Sequence, residues 1–233
     1  VPLLHEKPYA EMTLHWLKSQ GIKLEREELR KFRIPGGQAY TAFEGSVPAD
    51  FSSATFFFCL AAVTGGTLTL TGLDFSDPQG DKEVVSMLER MGCVVETSGS
   101  GVTITGGSLR GAELDLNSTP DALPALAVTA CFAEGKTRLY NVPQARLKET
   151  DRIAVMAAEL KKMGAKIEEF PDGLEIVGSP LKGCLVEGHA DHRVVMALAV
   201  GAFGASGNTT ITTAESAGVT FPGFFDLLEQ CRI

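Results

Sequence analysis

The residues best suited to chemistry lie in the run Arg146-Leu147-Lys148-Glu149-Thr150-Asp151-Arg152, where five of seven side chains ionise although apolar segments flank it on both sides. Ile153, Met156, Ala157, Leu160 and Met163 follow at helical spacing, so Glu149, Thr150 and Asp151 suit the positive first turn of a helix over residues 149–163. Glu149 and Arg152 stand three apart and can meet on one face. Two readings compete. A charge run is most often a solvated, salt-bridged helix start. The sharper reading is a set of fixed cations for an anionic substrate, with a carboxylate poised for proton transfer. Three other places offer comparable chemistry. Asp191-His192-Arg193 opens an apolar helix, where a His–Arg pair is costly without an anionic partner. Asp121 lies in Asn117-Ser118-Thr119-Pro120-Asp121-Ala122, where Thr119 can cap and Pro120 suits the first helical position. Val219-Thr220-Phe221-Pro222-Gly223-Phe224-Phe225 closes the chain's polar signals.

The elements that must position these residues repeat. An amphipathic helix over residues 7–20 is stopped by Gly21, and short strands at 22–25 and 31–34 precede a glycine-containing crossover. Asp50 then opens a helix that is apolar nearly all round and therefore buried. A strand at 67–71, an amphipathic helix over 79–91 and a hairpin over Ser98–Gly101 follow. The programme runs again from Asp121, through a strand at 136–141, the helix at 149–163 and a hairpin over Pro171-Asp172-Gly173, and a third time from Asp191. Asp50 and Asp121 are 71 residues apart, Asp121 and Asp191 70, Gly21 and Gly92 71, and Gly92 and Gly164 72. Two independent markers with one period define a repeat of strand, buried helix, strand, surface helix and hairpin, with units at about 47–111, 112–178 and 179–233. The first unit lacks its opening half and the last its closing hairpin, so two strands are expected to be missing from the sheets. If the units pack with threefold pseudo-symmetry, three helix N-termini point the same way and together favour an anion. Capping accounts for Asp50 and Asp191 equally well.

Composition narrows the class. With 233 residues, 44% hydrophobic and 21% charged, the chain is ordinary globular material. A net charge of −8 argues against a nucleic-acid coat or a membrane-surface protein, and no apolar run is long enough for a bilayer. Five widely spaced cysteines in apolar company are expected to be reduced, in a cytoplasmic protein. No secretory signal is visible, and the first residue, Val1, suggests a processed product or a fragment. His189 and His192 are three apart without a joining ligand pattern, so no metal is expected; nor is there a phosphate loop or dinucleotide fingerprint.

Leu147-Lys148-Glu149-Thr150-Asp151-Arg152, Pro120-Asp121-Ala122, Asp191-His192-Arg193 and Ser52-Ser53-Ala54-Thr55-Phe56-Phe57 together resemble the 5-enolpyruvylshikimate-3-phosphate synthase family (3-phosphoshikimate 1-carboxyvinyltransferase). The likeness runs from Lys7-Pro8-Tyr9 to Phe221-Pro222. It implies an α/β (α+β) fold of two domains, each with three pseudo-symmetric strand-helix-strand-helix-strand-strand units around buried helices. Family members are nearly twice this long. Residues 1–46 would then be the last unit of the first domain plus crossover, and 47–233 the second domain, with the N-terminal half of the same polypeptide missing. The implied reaction moves the enolpyruvyl group of phosphoenolpyruvate to the 5-hydroxyl of shikimate 3-phosphate and releases phosphate, without a cofactor. By resemblance Asp121 handles the hydroxyl proton and Glu149 the methylene proton. Lys148, Gln144 and Tyr9 face shikimate phosphate, Arg152 and Arg193 clamp phosphoenolpyruvate, and His192 lines the pocket. Two positions depart from the family: Glu6 stands where a Ser is common, and Val219 where many members carry Lys. These departures favour an alternative, a non-catalytic anion-binding or interaction module that kept the fold. A sister enolpyruvyl transferase acting on a nucleotide sugar lacks the Lys-Glu-Thr-Asp-Arg run. The chain by itself is expected not to turn over.

Overall fold

In the computed structural model, which describes residues 1–99 and 101–231, the chain opens with helix α1 (Lys7–Ser19) and a two-stranded antiparallel ribbon, β1 (Glu25–Glu27) and β2 (Lys31–Arg33). Ser100, in the expected hairpin turn, lies outside the described residues. The first strand starts later than the apolar pattern at 22–25 suggests. The cause is local: the Gln38 side chain accepts from the Lys23 N–H at 2.7 Å and donates to its carbonyl at 3.0 Å, taking the groups a ladder would need. Residues 34–50 carry no helix or strand.

Three helices form the centre: α2 (Phe51–Thr64), α4 (Leu123–Cys131) and α6 (His192–Gly204). Each is apolar around most of its circumference, which is why each is buried. They pack on one another at their C-terminal ends through glycine. A Cβ at Gly201 would crowd Val128, and one at Gly204 would lie 2.5 Å from Val63 and 2.6 Å from Phe132, so only hydrogen lets α6 approach α2 and α4 there.

Sheets surround this centre in the expected order. Strand β3 (Thr67–Thr71) follows α2, helix α3 (Glu83–Arg90) lies outside it, and the hairpin β4 (Val94–Ser98) and β5 (Gly101–Thr105) closes the first unit in the order β3-β5-β4. The second unit adds β6 (Glu113–Asp115), β7 (Lys136–Tyr140), α5 (Arg152–Lys162), β8 (Lys166–Phe170) and β9 (Gly173–Val177), in the order β6-β7-β9-β8. In the third, β10 (Leu185–Glu187) pairs with β11 (Thr210–Thr212), and α7 (Phe224–Gln230) packs behind. The β6–β7 and β10–β11 pairs are both parallel, each spanning a buried helix, as the repeat requires. With sheets of three, four and two strands, the described residues fall three strands short of four per unit, not two. On the surface helix α5 the buried apolar stripe is Ile153, Met156, Ala157 and Leu160, with Arg152 and Glu159 buried beside it.

Helix starts differ from expectation at α4, which begins at Leu123 after a 3₁₀ turn over Pro120–Ala122, and in two further places. The segment from residue 79 begins as a tight turn, Gly80–Lys82, before α3. Helix α5 begins at Arg152 and not at 149, because Asp151 is its cap, accepting from the Ala154 N–H at 3.0 Å. The run before it folds as a 3₁₀ turn over Pro143–Leu147 and extended backbone, which frees Lys148 and Glu149 from the helix face.

Phe58, at the middle of α2, is fully buried. Phe58→Ala should cost about 3–5 kcal/mol, read as a lower denaturant midpoint at unchanged slope.

Candidate functional site

The beginnings of the three central helices are where polar side chains enter an otherwise apolar core. Asp50 caps α2, accepting from the Ser52 N–H at 2.9 Å and the Ser53 N–H at 3.1 Å. Asp191 caps α6 through the Arg193 N–H at 2.9 Å. Asp121 does not cap. It sits inside a 3₁₀ turn, Pro120–Ala122, ahead of α4, and its carboxylate is turned to other partners. Thr119 does not cap either; its hydroxyl is buried without a hydrogen-bond partner. The Ala122 N–H, a donor that a Thr119 cap would take, goes to the Thr119 backbone carbonyl at 3.0 Å.

Arg152 is the hub. Only 1% of its surface is exposed, and three carboxylates surround the guanidinium. Nε donates to Asp191 at 2.8 Å, Nη1 to Asp121 at 2.9 Å, and Nη2 to Asp191 at 3.1 Å and to Glu149. Thr150 Oγ1 donates to the same Asp191 at 3.0 Å. Glu149 and Arg152 therefore meet as their spacing suggested, though Glu149 lies ahead of the helix. Burial would raise the Asp191 carboxyl, but the Arg152 contact and the backbone N–H of Arg193 outweigh it and hold it below the ordinary range.

Asp121 is ringed by cations. Besides Arg152, Arg193 Nη2 lies 3.3 Å from its Oδ2 and Lys148 Nζ 3.6 Å from its Oδ1. Burial alone would raise this carboxyl; Arg193, Lys148 and Arg152 together push it below its usual value. Arg193 also donates to Ser52 Oγ at 3.0 Å, tying the start of α6 to the start of α2. His192 is nearly buried, and burial, then Arg193 and Arg152, lower its pKa, leaving a neutral imidazole at pH 7. Its Nδ1 stands 3.8 Å from Glu149, too far for a hydrogen bond.

The structure thus brings Tyr9, Asp121, Lys148, Glu149, Arg152, His192 and Arg193 into one group. Tyr9 OH lies 3.2 Å from Asp121 Oδ2. Gln144 stands at the margin, donating to the Asn117 carbonyl at 3.2 Å, with its Oε1 buried and unpartnered. Glu6 is in the group as well, but its partner is Lys148 itself, at 2.7 Å. Val219 is largely exposed. Asp81, at the head of the short charge run Asp81-Lys82-Glu83, is buried with its Oδ2 3.3 Å from Tyr9 OH; its distance of 71 residues from Arg152, one repeat length, was the available signal. His189 and His192 do not join. His189 Nε2 meets Glu159 at 3.0 Å, and Glu159, Glu187 and His189 place possible ligand atoms within 4.8 Å of one another, a grouping the His spacing did not reveal. Lys162 Nζ already occupies both Glu159 oxygens at 2.7 Å. All five cysteines are free thiols. No helix among the described residues is long and apolar enough to cross a membrane.

The fold is shared with a solved enolpyruvyl transferase, NikO from Streptomyces tendae, on which the chain superposes with a TM-score of 0.74 at 20% identity, over 97% of this chain and 52% of that one. An EPSP synthase from Acinetobacter baumannii superposes with a TM-score of 0.81 at 31% identity, over 94% of this chain and 53% of that one. The profile of the family described as EPSP synthase (3-phosphoshikimate 1-carboxyvinyltransferase) matches residues 2–228, and the chain belongs to that family. It is 55% identical over 228 residues to the 3-phosphoshikimate 1-carboxyvinyltransferase of Ruminiclostridium cellulolyticum, covering 98% of this chain and 54% of that protein. With the Acetivibrio thermocellus protein of the same name it shares 54% over 231 residues, covering 99% and 55%. The chain spans about half the length of these relatives.

Removing Arg152 leaves Asp191 and Asp121 buried beside each other's charge, so Arg152→Gln should destabilise the fold by about 3–5 kcal/mol. Both carboxyls bind protons less readily when folded than when unfolded. Their stabilisation is complete above roughly pH 4 and is lost as pH falls through the depressed folded values. Acid unfolding followed by circular dichroism should therefore be steep in the parent and shallower in Arg152→Gln.

Proposed function

We propose that this chain carries the acid–base and cation half of an enolpyruvyl transfer from phosphoenolpyruvate to the 5-hydroxyl of shikimate 3-phosphate. The observation that carries the reading is Asp121: an ionised carboxylate with Lys148, Arg152 and Arg193 around it, at the meeting point of three helix starts. In the reaction the hydroxyl oxygen bonds to C2 of phosphoenolpyruvate as its proton passes to Asp121. The C3 methylene takes a proton from Glu149. Phosphate then leaves C2, and Glu149 removes a proton from the new methyl group to restore the double bond. Lys148 and Gln144 hold the shikimate phosphate and Tyr9 touches the same substrate, while Arg193 faces phosphoenolpyruvate as a forked donor and Arg152, its donors held by Asp191, Asp121 and Glu149, acts on it through its charge. Anionic substrates draw Lys148 and Arg193 off Asp121, so its proton affinity rises when the hydroxyl arrives. Neutral His192 stands behind Glu149. Residues 1–46 read as the last unit of a first domain, and 47–233 as the second domain.

One observation favours a second reading, a binding module without turnover: Glu6 neutralises the very lysine that would hold a phosphate. Phosphate release from phosphoenolpyruvate decides between them, measured on the chain alone and on the chain joined to the additional region its relatives carry. Release that requires shikimate 3-phosphate in the joined protein is expected, falling at least about a hundredfold in Asp121→Asn or Glu149→Gln. Folded joined protein that releases none, or variants without effect, would overturn the transfer reading. Glu6→Ser frees Lys148 and should lower the KM for shikimate 3-phosphate severalfold.

A further inference from the structure

Asp81 is 3% exposed, and its Oδ1 has no hydrogen-bond partner. A buried carboxylate in that state is expensive, whereas a carboxylic acid is not. The turn that holds it cannot drift. A Cβ at Gly80 would lie 2.6 Å from the Ser118 carbonyl and 2.7 Å from Pro8, so the turn is pressed between the loop that carries Asp121 and the first turn of α1 that carries Tyr9. Gln79 fixes the turn from the other side, accepting from the Phe51 N–H at 2.8 Å and donating to the Ala49 carbonyl at 3.0 Å.

The Tyr9 hydroxyl lies between two carboxyl groups, 3.3 Å from Asp81 Oδ2 and 3.2 Å from Asp121 Oδ2. A phenol has one proton and can donate to one of them. Making both contacts hydrogen bonds takes a second proton, and Asp121, ringed by three cations, is the poorer place for it. We propose that Asp81 is a positioning residue for the enolpyruvyl transfer: as the neutral acid it donates to the Tyr9 oxygen, which turns the phenolic proton onto Asp121 and holds that carboxylate in place as an acceptor. The inference rests on the function proposed above.

The surroundings agree. Tyr9 from α1, Asp121 from the turn before α4, Asp50 from the start of α2 and Arg193 from α6 are the charged or titratable groups that face Asp81. Lys82, next in sequence, is turned away to the carbonyls of Phe75 and Asp77. Burial, then Asp121 and Asp50, raise the Asp81 carboxyl to about 7, against the opposing pull of Arg193 and Tyr9. Burial and the two aspartates also drive the Tyr9 phenol far upward, so it keeps its proton throughout. As pH rises through about 7, Asp81 ionises and competes for the Tyr9 proton, and Asp121 loses its donor.

Two measurements test this. Carboxyl-carbon NMR of the substrate-free full-length protein should show Asp81 titrating near neutrality; a midpoint below pH 5 overturns the proposal whatever the activity. The pH profile of kcat/KM should fall on its alkaline side near the same midpoint. Asp81→Asn, whose amide donates to Tyr9 at every pH, should lose that limb and stay within about threefold of the parent at pH 6. Asp81→Ala, which donates nothing, should lose at least tenfold. Equal activity in the two variants, or a limb that survives in Asp81→Asn, overturns the positioning role. A parent protein that titrates at Asp81 but releases no phosphate overturns the transfer reading, and with it the positioning role.

Discussion

A guanidinium almost wholly removed from water sets the terms for everything around it. Arg152 is tolerable inside the fold only because fixed carboxylates meet its donors, and those carboxylates come from three separate places: the cap of α6, the turn before α4 and the extended segment before α5. Charge balance thereby joins the second and third units more specifically than apolar packing could. Arg193 extends the link to the first unit through Ser52. Two arginines clip three helix starts together, and the positions of Asp121 and Glu149 follow from that arrangement.

The same arrangement sets protonation. Asp121 is ionised because cations outnumber it, His192 is neutral because burial and two arginines oppose a further positive charge, and Asp81, one side chain away, is pushed up to about 7 by burial and by Asp121. Groups of the same chemical type are driven apart by a few ångströms of environment, the usual means of obtaining distinct acid and base roles at one pH.

Much of this was legible in the sequence, for identifiable reasons. The central helices announce themselves because a helix with no polar face has only one place to go, and the shared 71-residue spacing of Asp50 and Gly21 with their successors gives the repeat. Charges at the starts of apolar helices marked Asp121, His192 and Arg193, and the charge run between apolar segments marked Arg152. What stayed hidden is contact across long separations. Asp81 opens the run Asp81-Lys82-Glu83, which reads as an ordinary solvated helix start, and its link to Tyr9 spans 72 residues. Glu6 could be seen as a misplaced negative charge, but not as the partner of Lys148. Boundaries slipped where a side chain replaced a backbone partner, as Gln38 does at Lys23 and Asp151 at the start of α5. At Thr119 the exchange runs the other way: the backbone carbonyl takes the Ala122 N–H, and the hydroxyl is left unused.

The glycine contact of α6 with Val63 and Phe132 lies at the end of the bundle away from the charges. Thirteen residues of helix, about 20 Å at 1.5 Å per residue, separate it from Asp191. Three rods pinched together at one end and tied by ion pairs at the other behave as a tripod: a small displacement at the pinch becomes a change of spread at the feet. The precision with which Asp121 and Arg193 face each other is therefore set partly by a hydrogen atom on Gly204, an exposed, uncharged residue a helix length away.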